Sequence, residues 1–145
     1  MDTEEASQLA YKALALAVAD ETDEVADVLD VLGHGCTDNQ MYGVCCGFAN
    51  VGKLMLERLY GVRIGADGPM VALREIVTGA AELDPPQAFA MRFLAAFANG
   101  DNDMTLTLFN VAVSAGAEQY VDSVCALLAN VAGICRLARD TPARE

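Results

Sequence analysis

The residues of this chain with the most evident capacity for chemistry are a histidine and several cysteines. His34 and Cys36 flank a single glycine, and Cys45 and Cys46 follow within the next stretch of sequence. An imidazole together with thiolates offers ligands for a metal ion, or a thiol nucleophile with a basic neighbour. His34 and Cys36 are therefore the candidate metal ligands of the sequence.

The spacing of the cysteines argues against a shared site. Cys45 and Cys46 are adjacent on a predicted apolar helix, where neighbouring side chains point about 100° apart and a free cysteine commonly packs as a small hydrophobe. The five cysteines form an odd set without C-x-x-C spacing, which is typical neither of a disulfide framework nor of a zinc ribbon. We expect reduced, buried thiols, with no catalytic residue, no metal and no cofactor.

Acidic residues form a second candidate site. Asp20, Asp23, Asp27 and Asp30 recur at helical spacing, on the face opposite apolar residues such as Val28. One hypothesis is a docking face for a basic partner, where charge steers association. The other is a solvated helix face that keeps an apolar protein in solution.

The charge of the chain is strongly negative and unevenly distributed. The formal net charge is -12, with ten acids and one base in residues 1–38 against eleven acids and eight bases in residues 39–145. Nucleic-acid binding requires a basic face, which this composition does not supply. A basic protein partner, or none, fits the sequence better than nucleic acid.

Hydrophobic residues make up 54% of the chain, so a membrane segment has to be considered. The longest charge-free windows, residues 39–52, 104–117 and 123–135, fall short of the about 20 residues that cross a bilayer. The opening MDTEEAS is acidic, whereas a signal peptide begins with basic residues. We expect a soluble cytoplasmic protein without membrane contact, and its preference for arginine over lysine is typical of a GC-rich bacterial genome.

Helix-start patterns divide the chain into about seven predicted helices and no strand. The patterns are capping residues that accept hydrogen bonds from first-turn amides, and prolines that tolerate a first turn. The predicted starts lie at Asp2 with Glu5, Asp20 or Thr22, Thr37 with Gln40, Asp67-Gly68-Pro69, Asp84-Pro85-Pro86-Gln87, Asp101 and Gly116.

Two long segments, Met41 to Leu56 and Val121 to Arg136, are the apolar centre of the sequence. The first is apolar nearly all round, which predicts a buried core helix. Its small face, formed by Gly43, Gly47, Asn50 and Leu54, predicts close approach of a neighbouring helix.

The two long segments also belong to an internal repeat. Aligning each residue from Ala10 to Glu57 with the residue 80 positions later gives ten identities without a gap, including Cys45 with Cys125 and Asn50 with Asn130. The pattern predicts a single all-α domain over residues 1–145, a helical bundle of two duplicated helical units at about 9–60 and 89–139, joined by a helix at about 67–83. The long helices should pack together, with Asn50 and Asn130 as a buried hydrogen-bonded pair.

Two functions remain open on this evidence. The first is a non-catalytic adaptor for protein–protein interaction with an acidic N-terminal face, acting as a homodimer because so small a globule cannot hide all its apolar residues. The alternative is a small-molecule or metal-binding protein, or an enzyme, with an apolar pocket between the long helices.

Overall fold

The computed structural model describes residues 1–61 and 84–141, which form six α-helices and no strand. The all-α bundle predicted from the sequence is confirmed, whereas the connecting helix predicted at about 67–83 lies outside the described residues. The helices are α1 (Thr3–Val18), α2 (Thr22–Gly35), α3 (Asp38–Tyr60), α4 (Pro85–Ala98), α5 (Asn102–Ser114) and α6 (Ala117–Asp140).

Local capping determines most helix starts. The Thr37 side chain accepts from the Gln40 amide at 3.2 Å, while Gln40 Oε1 accepts from the Thr37 amide at 2.9 Å, which completes the predicted capping box of α3. Asp2, Asp84 and Asp101 each accept from an amide three residues later. These starts are confirmed, because a cap depends only on residues within one turn.

The predicted cap of α2 is wrong. Neither Asp20 nor Thr22 caps the helix; Glu21 occupies the capping position and its side chain makes no capping hydrogen bond. Asp20 instead adopts a left-handed conformation with φ 59° in the turn that ends α1, a conformation that aspartate tolerates better than most residues. Asp20 therefore belongs to the end of α1, although the sequence pattern assigned it to the start of α2.

The core lies where the long helices meet. As predicted, α3 packs against α6, and both also contact α1 and α4. The outer helices α2 and α5 pack mainly on α1 and α4, respectively. The largest side chains with almost no solvent exposure come from α2 to α6, and they are Leu32, Phe48, Phe93, Phe109, Leu127 and Leu128.

The small face predicted for α3 is not where helices approach closely. A Cβ added at Gly43 or Gly47 meets no atom within 4 Å, whereas one at Gly52 lies 3.0 Å from Leu94 and 3.2 Å from Val131. Gly52 therefore permits close packing of α3 against α4 and α6. Leu54 is 49% exposed, so α3 is not buried all round.

An aromatic cluster holds α5 against α3, α4 and α6. The Tyr42 ring meets Phe93 and Phe109 edge-on, with centroids 6.3 and 5.5 Å apart, and Phe109 meets Tyr120 at 5.7 Å. The Tyr42 hydroxyl and the Thr105 hydroxyl lie 2.8 Å apart, and Thr105 also donates to the Asn102 carbonyl. Thr105 is fully buried, and these hydrogen bonds satisfy its hydroxyl group.

The last helix is long and apolar enough to cross a membrane by length and composition alone. The sequence predicted no membrane-spanning helix, because only windows without any charged residue were compared with the thickness of a bilayer. Core helices of soluble proteins meet the same criterion, and one such helix is weak evidence for a membrane. Within the fold, Leu127, Leu128 and Val131 of α6 are buried against the neighbouring helices.

Candidate functional site

Three of the four predicted acidic residues form one exposed stripe on α2. Asp23, Asp27 and Asp30 are exposed and follow helical spacing, while Val28 and Leu32 are buried on the other side of the helix. We refer to Asp23, Asp27 and Asp30 as the acidic stripe. The apolar residues dock α2 on α1, and this docking orients the acidic stripe toward solvent.

His34 extends the acidic stripe by one further turn. Its Nδ1 lies 2.8 Å from the Asp30 carbonyl oxygen and 3.3 Å from Asp30 Oδ1. Both side chains are more than two-thirds exposed, so the pair contributes at most about 1 kcal/mol. His34 is thereby part of the surface of α2.

The fourth predicted residue, Asp20, lies apart from the acidic stripe. Its carboxylate Oδ1 is 3.5 Å from Nη1 of Arg136 on α6. The same Arg136 nitrogen donates to the Ala17 carbonyl oxygen at 2.8 Å. Asp20 is therefore part of the junction between α1 and the end of α6, although the sequence pattern placed it with the other acids.

His34 and Cys36 are not paired with each other. The His34 ring contacts Asp30, as described above, and the Cys36 thiol donates to the Met1 sulfur at 3.8 Å. Desolvation raises the pKa of Cys36, and the N-terminal ammonium group lowers it to a smaller extent. Residues 1–61 and 84–141 contain no group of three His, Cys, Asp or Glu side chains that would hold a metal ion.

The environments of the other four cysteines also raise the pKa values of their thiols. Cys45 is completely buried, and desolvation raises its pKa far above the ordinary range, with the neighbouring Cys46 adding to the effect. Desolvation also raises the pKa values of Cys46, Cys125 and Cys135. Since the thiolate is the nucleophilic form, these thiols remain protonated and poorly reactive near neutral pH.

The prediction that Asn50 and Asn130 form a buried hydrogen-bonded pair is wrong. Asn50 is exposed, and Asn130 donates to Gln87 Oε1 at 3.1 Å and to the Ala126 carbonyl oxygen at 2.9 Å. The two long helices meet through other faces, because Gly52 rather than Asn50 marks their contact. Asn130 thus joins α6 to the first turn of α4 instead of to α3.

Among the described residues, two cavities lie on the flanks of α1. One, of about 290 Å³, separates α1 from α3 and has Gly43 and Gly47 in its wall. The other, of about 310 Å³, lies between α2 and α6 at the end of α1, and Arg136 is among its lining residues. Volumes near 300 Å³ are at the lower end for small-molecule sites.

No family model, curated protein or solved structure matches this chain. Its function is therefore inferred from the charges, cavities and contacts of its own residues.

The cavity beside Arg136 is the feature that sequence patterns missed. In the sequence, Arg136 is distinguished only by its position directly after the charge-free window 123–135. Its contact with Ala17 joins residues 119 positions apart. No periodic pattern within one helix reports such a contact.

Proposed function

We propose that this protein is a non-catalytic protein–protein interaction module whose acidic stripe docks a basic segment of a partner protein. The observation that supports the proposal is the common exposure of Asp23, Asp27 and Asp30 along one face of α2. A row of like charges attracts lysine and arginine side chains and accelerates encounter with a basic surface. The net charge of -12 strengthens the same attraction at longer range.

The proposal includes a duplicated architecture. The turn between α1 and α2 and the turn between α4 and α5 have matching hydrogen bonds 80 residues apart: the Glu21 amide donates to Leu16, and the Asp101 amide donates to Ala96, both at 2.9 Å. Asp20 and Gly100, also 80 residues apart, both have positive φ. These matches support two related helical units.

The proposed duplication allows the acidic stripe of α2 to be compared with the equivalent surface of α5. Thr107 and Asn110 of α5 stand 80 positions after Asp27 and Asp30. Equivalent outer helices therefore carry different surfaces: α2 presents three acids, whereas α5 retains only Asp103, the residue 80 positions after Asp23. A stripe required only for helix formation would be expected in both copies, so the presence of all three acids on α2 alone supports a role in recognition.

Replacing Asp23, Asp27 and Asp30 together by lysine is expected to slow association with a lysine-rich helical peptide by about tenfold or more, because attraction becomes repulsion. Stopped-flow fluorescence at several salt concentrations measures the rate. The difference between wild type and variant should shrink as salt rises.

The matched control replaces Asp103, Glu118 and Asp122 by lysine, which changes net charge equally on exposed residues of the second half. Association should slow much less in the control, and both variants should keep the wild-type helical circular dichroism. Equal loss in the two variants would show that only net charge matters and would overturn the docking stripe.

We also propose a homodimer that forms through the outer face of α5. Met104, Leu106 and Val111 are 45%, 46% and 62% exposed, and no charged residue occurs between Met104 and Ala117. Met104 and Val111 lie two turns apart on one side of α5, and an apolar contact there keeps most carboxylates of two strongly acidic copies apart. Two-fold symmetry would place the same face of each copy in the contact.

Val111→Glu is expected to convert the dimer to a monomer, because it replaces the most exposed of these three apolar residues by a charge. Sedimentation velocity at micromolar concentration measures the change. Val31→Glu is the control, since Val31 is 51% exposed 80 positions earlier, and this variant should remain dimeric. A wild-type protein that is monomeric throughout the micromolar range would contradict the dimer.

The other parts of the proposal follow from composition. We propose a cytoplasmic protein of bacterial type that binds neither nucleic acid nor membrane. Its excess of acids over bases supports the first exclusion, and the burial of one side of α6 within the bundle supports the second.

A further inference from the structure

The cavity between α2 and α6 is an elongated apolar groove. One face of α6, from Cys125 to Arg136, forms one wall and spans about 16 Å at 1.5 Å per residue. Val25 and Leu29 contribute to the opposite wall, and Ala17 of α1 also lines the groove. The volume is about 310 Å³, which suits a slender apolar ligand.

Small or shorter side chains line the groove at positions where the other copy of the proposed repeat has aromatic rings. Ala17, Leu29 and Leu128 line it, and the residues related to them by 80 positions are phenylalanines. The rings of Phe48 and Phe109 are buried, and Phe97 is partly buried. This comparison rests on the proposed duplication, whereas the groove itself does not.

A single cation lies among the lining residues of this groove. Arg136 has a side chain that is 33% exposed, and within residues 1–61 and 84–141 its hydrogen bond and its ion pair are both made by Nη1, with the Ala17 carbonyl oxygen and Asp20. The residue 80 positions earlier is Leu56, which is buried. A guanidinium group presents five N–H donors in a planar fork that matches a carboxylate, so it suits an anionic head group at the end of an apolar chain.

Asp20 is the residue that competes for this cation. Its carboxylate is 81% exposed and lies 3.5 Å from Arg136 Nη1. An exposed pair of this kind is weak, so a ligand carboxylate can displace it. Burial of the ligand chain against Val25, Leu29 and Ala129 supplies the remaining stabilisation.

We propose that this groove binds a medium-chain fatty acid, with its hydrocarbon chain between α2 and α6 and its carboxylate on Arg136. The proposal combines charge complementarity at Arg136 with apolar walls along the rest of the groove. The site is separate from the acidic stripe, so it stands or falls independently of the proposed docking function.

Octanoate, titrated into the full chain by isothermal calorimetry, is expected to bind one site per chain. Arg136→Met should weaken binding about tenfold or more, because a charge-assisted hydrogen bond is lost. Asp20→Asn should strengthen it by up to about fivefold by removing the competing carboxylate. Asparagine tolerates the positive φ of this position, so the turn is preserved.

Filling the groove should abolish binding. Ala17→Phe and Leu29→Phe introduce the rings found 80 positions later, and thermal unfolding reports whether each variant folds. Gly47→Leu is the matched control, because it adds an apolar side chain in the other cavity, where a Cβ meets nothing within 4 Å, and it should leave octanoate affinity unchanged.

Three results would overturn the proposal. The first is no heat of binding and no chemical-shift change with millimolar octanoate. The second is equal affinity for octanoate and uncharged 1-octanol, which would remove Arg136 from the site. The third is wild-type affinity in a folded Ala17→Phe or Leu29→Phe variant. Wild-type octanoate binding by the triple lysine variant of the acidic stripe would show that the two sites are independent.

Discussion

Replacing Phe93 by alanine is expected to lower the free energy of unfolding by about 3–5 kcal/mol. Phe93 has no solvent exposure, and its ring contacts Phe89 at a centroid distance of 5.3 Å and Tyr42 at 6.3 Å. Removing it leaves a cavity at the point where α3 and α4 meet, and it also removes two aromatic contacts. Since the free energy of unfolding of an ordinary domain is only about 5–15 kcal/mol, this single change is expected to remove a large part of it.

Urea unfolding followed by circular dichroism measures the loss. Tyr11→Ala is the control, because Tyr11 is an aromatic residue that is 52% exposed on α1, and its removal should change stability by less than about 1 kcal/mol. A Phe93→Ala variant as stable as Tyr11→Ala would contradict the central position of this ring in the core.

Gly52→Leu is expected to destabilise the fold by about 3 kcal/mol or more through overpacking. Even a Cβ at this position lies 3.0 Å from a Leu94 methyl group and 3.2 Å from a Val131 methyl group, so the larger leucine side chain requires these residues to move or α3 to separate from its neighbours. The helix contact at the centre of the bundle depends on this glycine.

Gly47→Ala provides the opposite expectation on the same helix. A Cβ at Gly47 meets no atom within 4 Å, and alanine is favoured over glycine in a helix interior by about 1 kcal/mol. Thermal unfolding should therefore show a lower melting temperature for Gly52→Leu and a higher one for Gly47→Ala. A tolerated Gly52→Leu would mean that α3, α4 and α6 are not closely packed.

Three glycines of α3 show what a sequence pattern leaves undecided. Gly43, Gly47 and Gly52 all lie on a helix whose start and apolar character were predicted from capping residues and apolar spacing. The sequence assigned close packing to the first two, whereas the structure assigns it to the third. The direction of a helix face depends on the partner helices, and these are separated from α3 along the chain.

The candidate site likewise has a part that the sequence predicted and a part that it did not. The acidic stripe was predictable from spacing, since Asp23, Asp27 and Asp30 share one helix and their relative positions follow from its period. Asp20 was assigned to the stripe by the same spacing, but it lies in a turn beside Arg136. Spacing is informative only within a continuous helix, and the helix begins after Asp20.

The sequence alone determined the all-α class, the capped helix starts at Asp2, Thr37, Asp84 and Asp101, and the packing of the two long apolar helices. These features depend on interactions within one turn or on the burial of a strongly apolar segment. Only the tertiary structure decided that Asn50 is exposed and that Arg136 reaches Ala17 beside an apolar groove. Such contacts join residues far apart in the chain, and their geometry is determined only when all the helices have packed together.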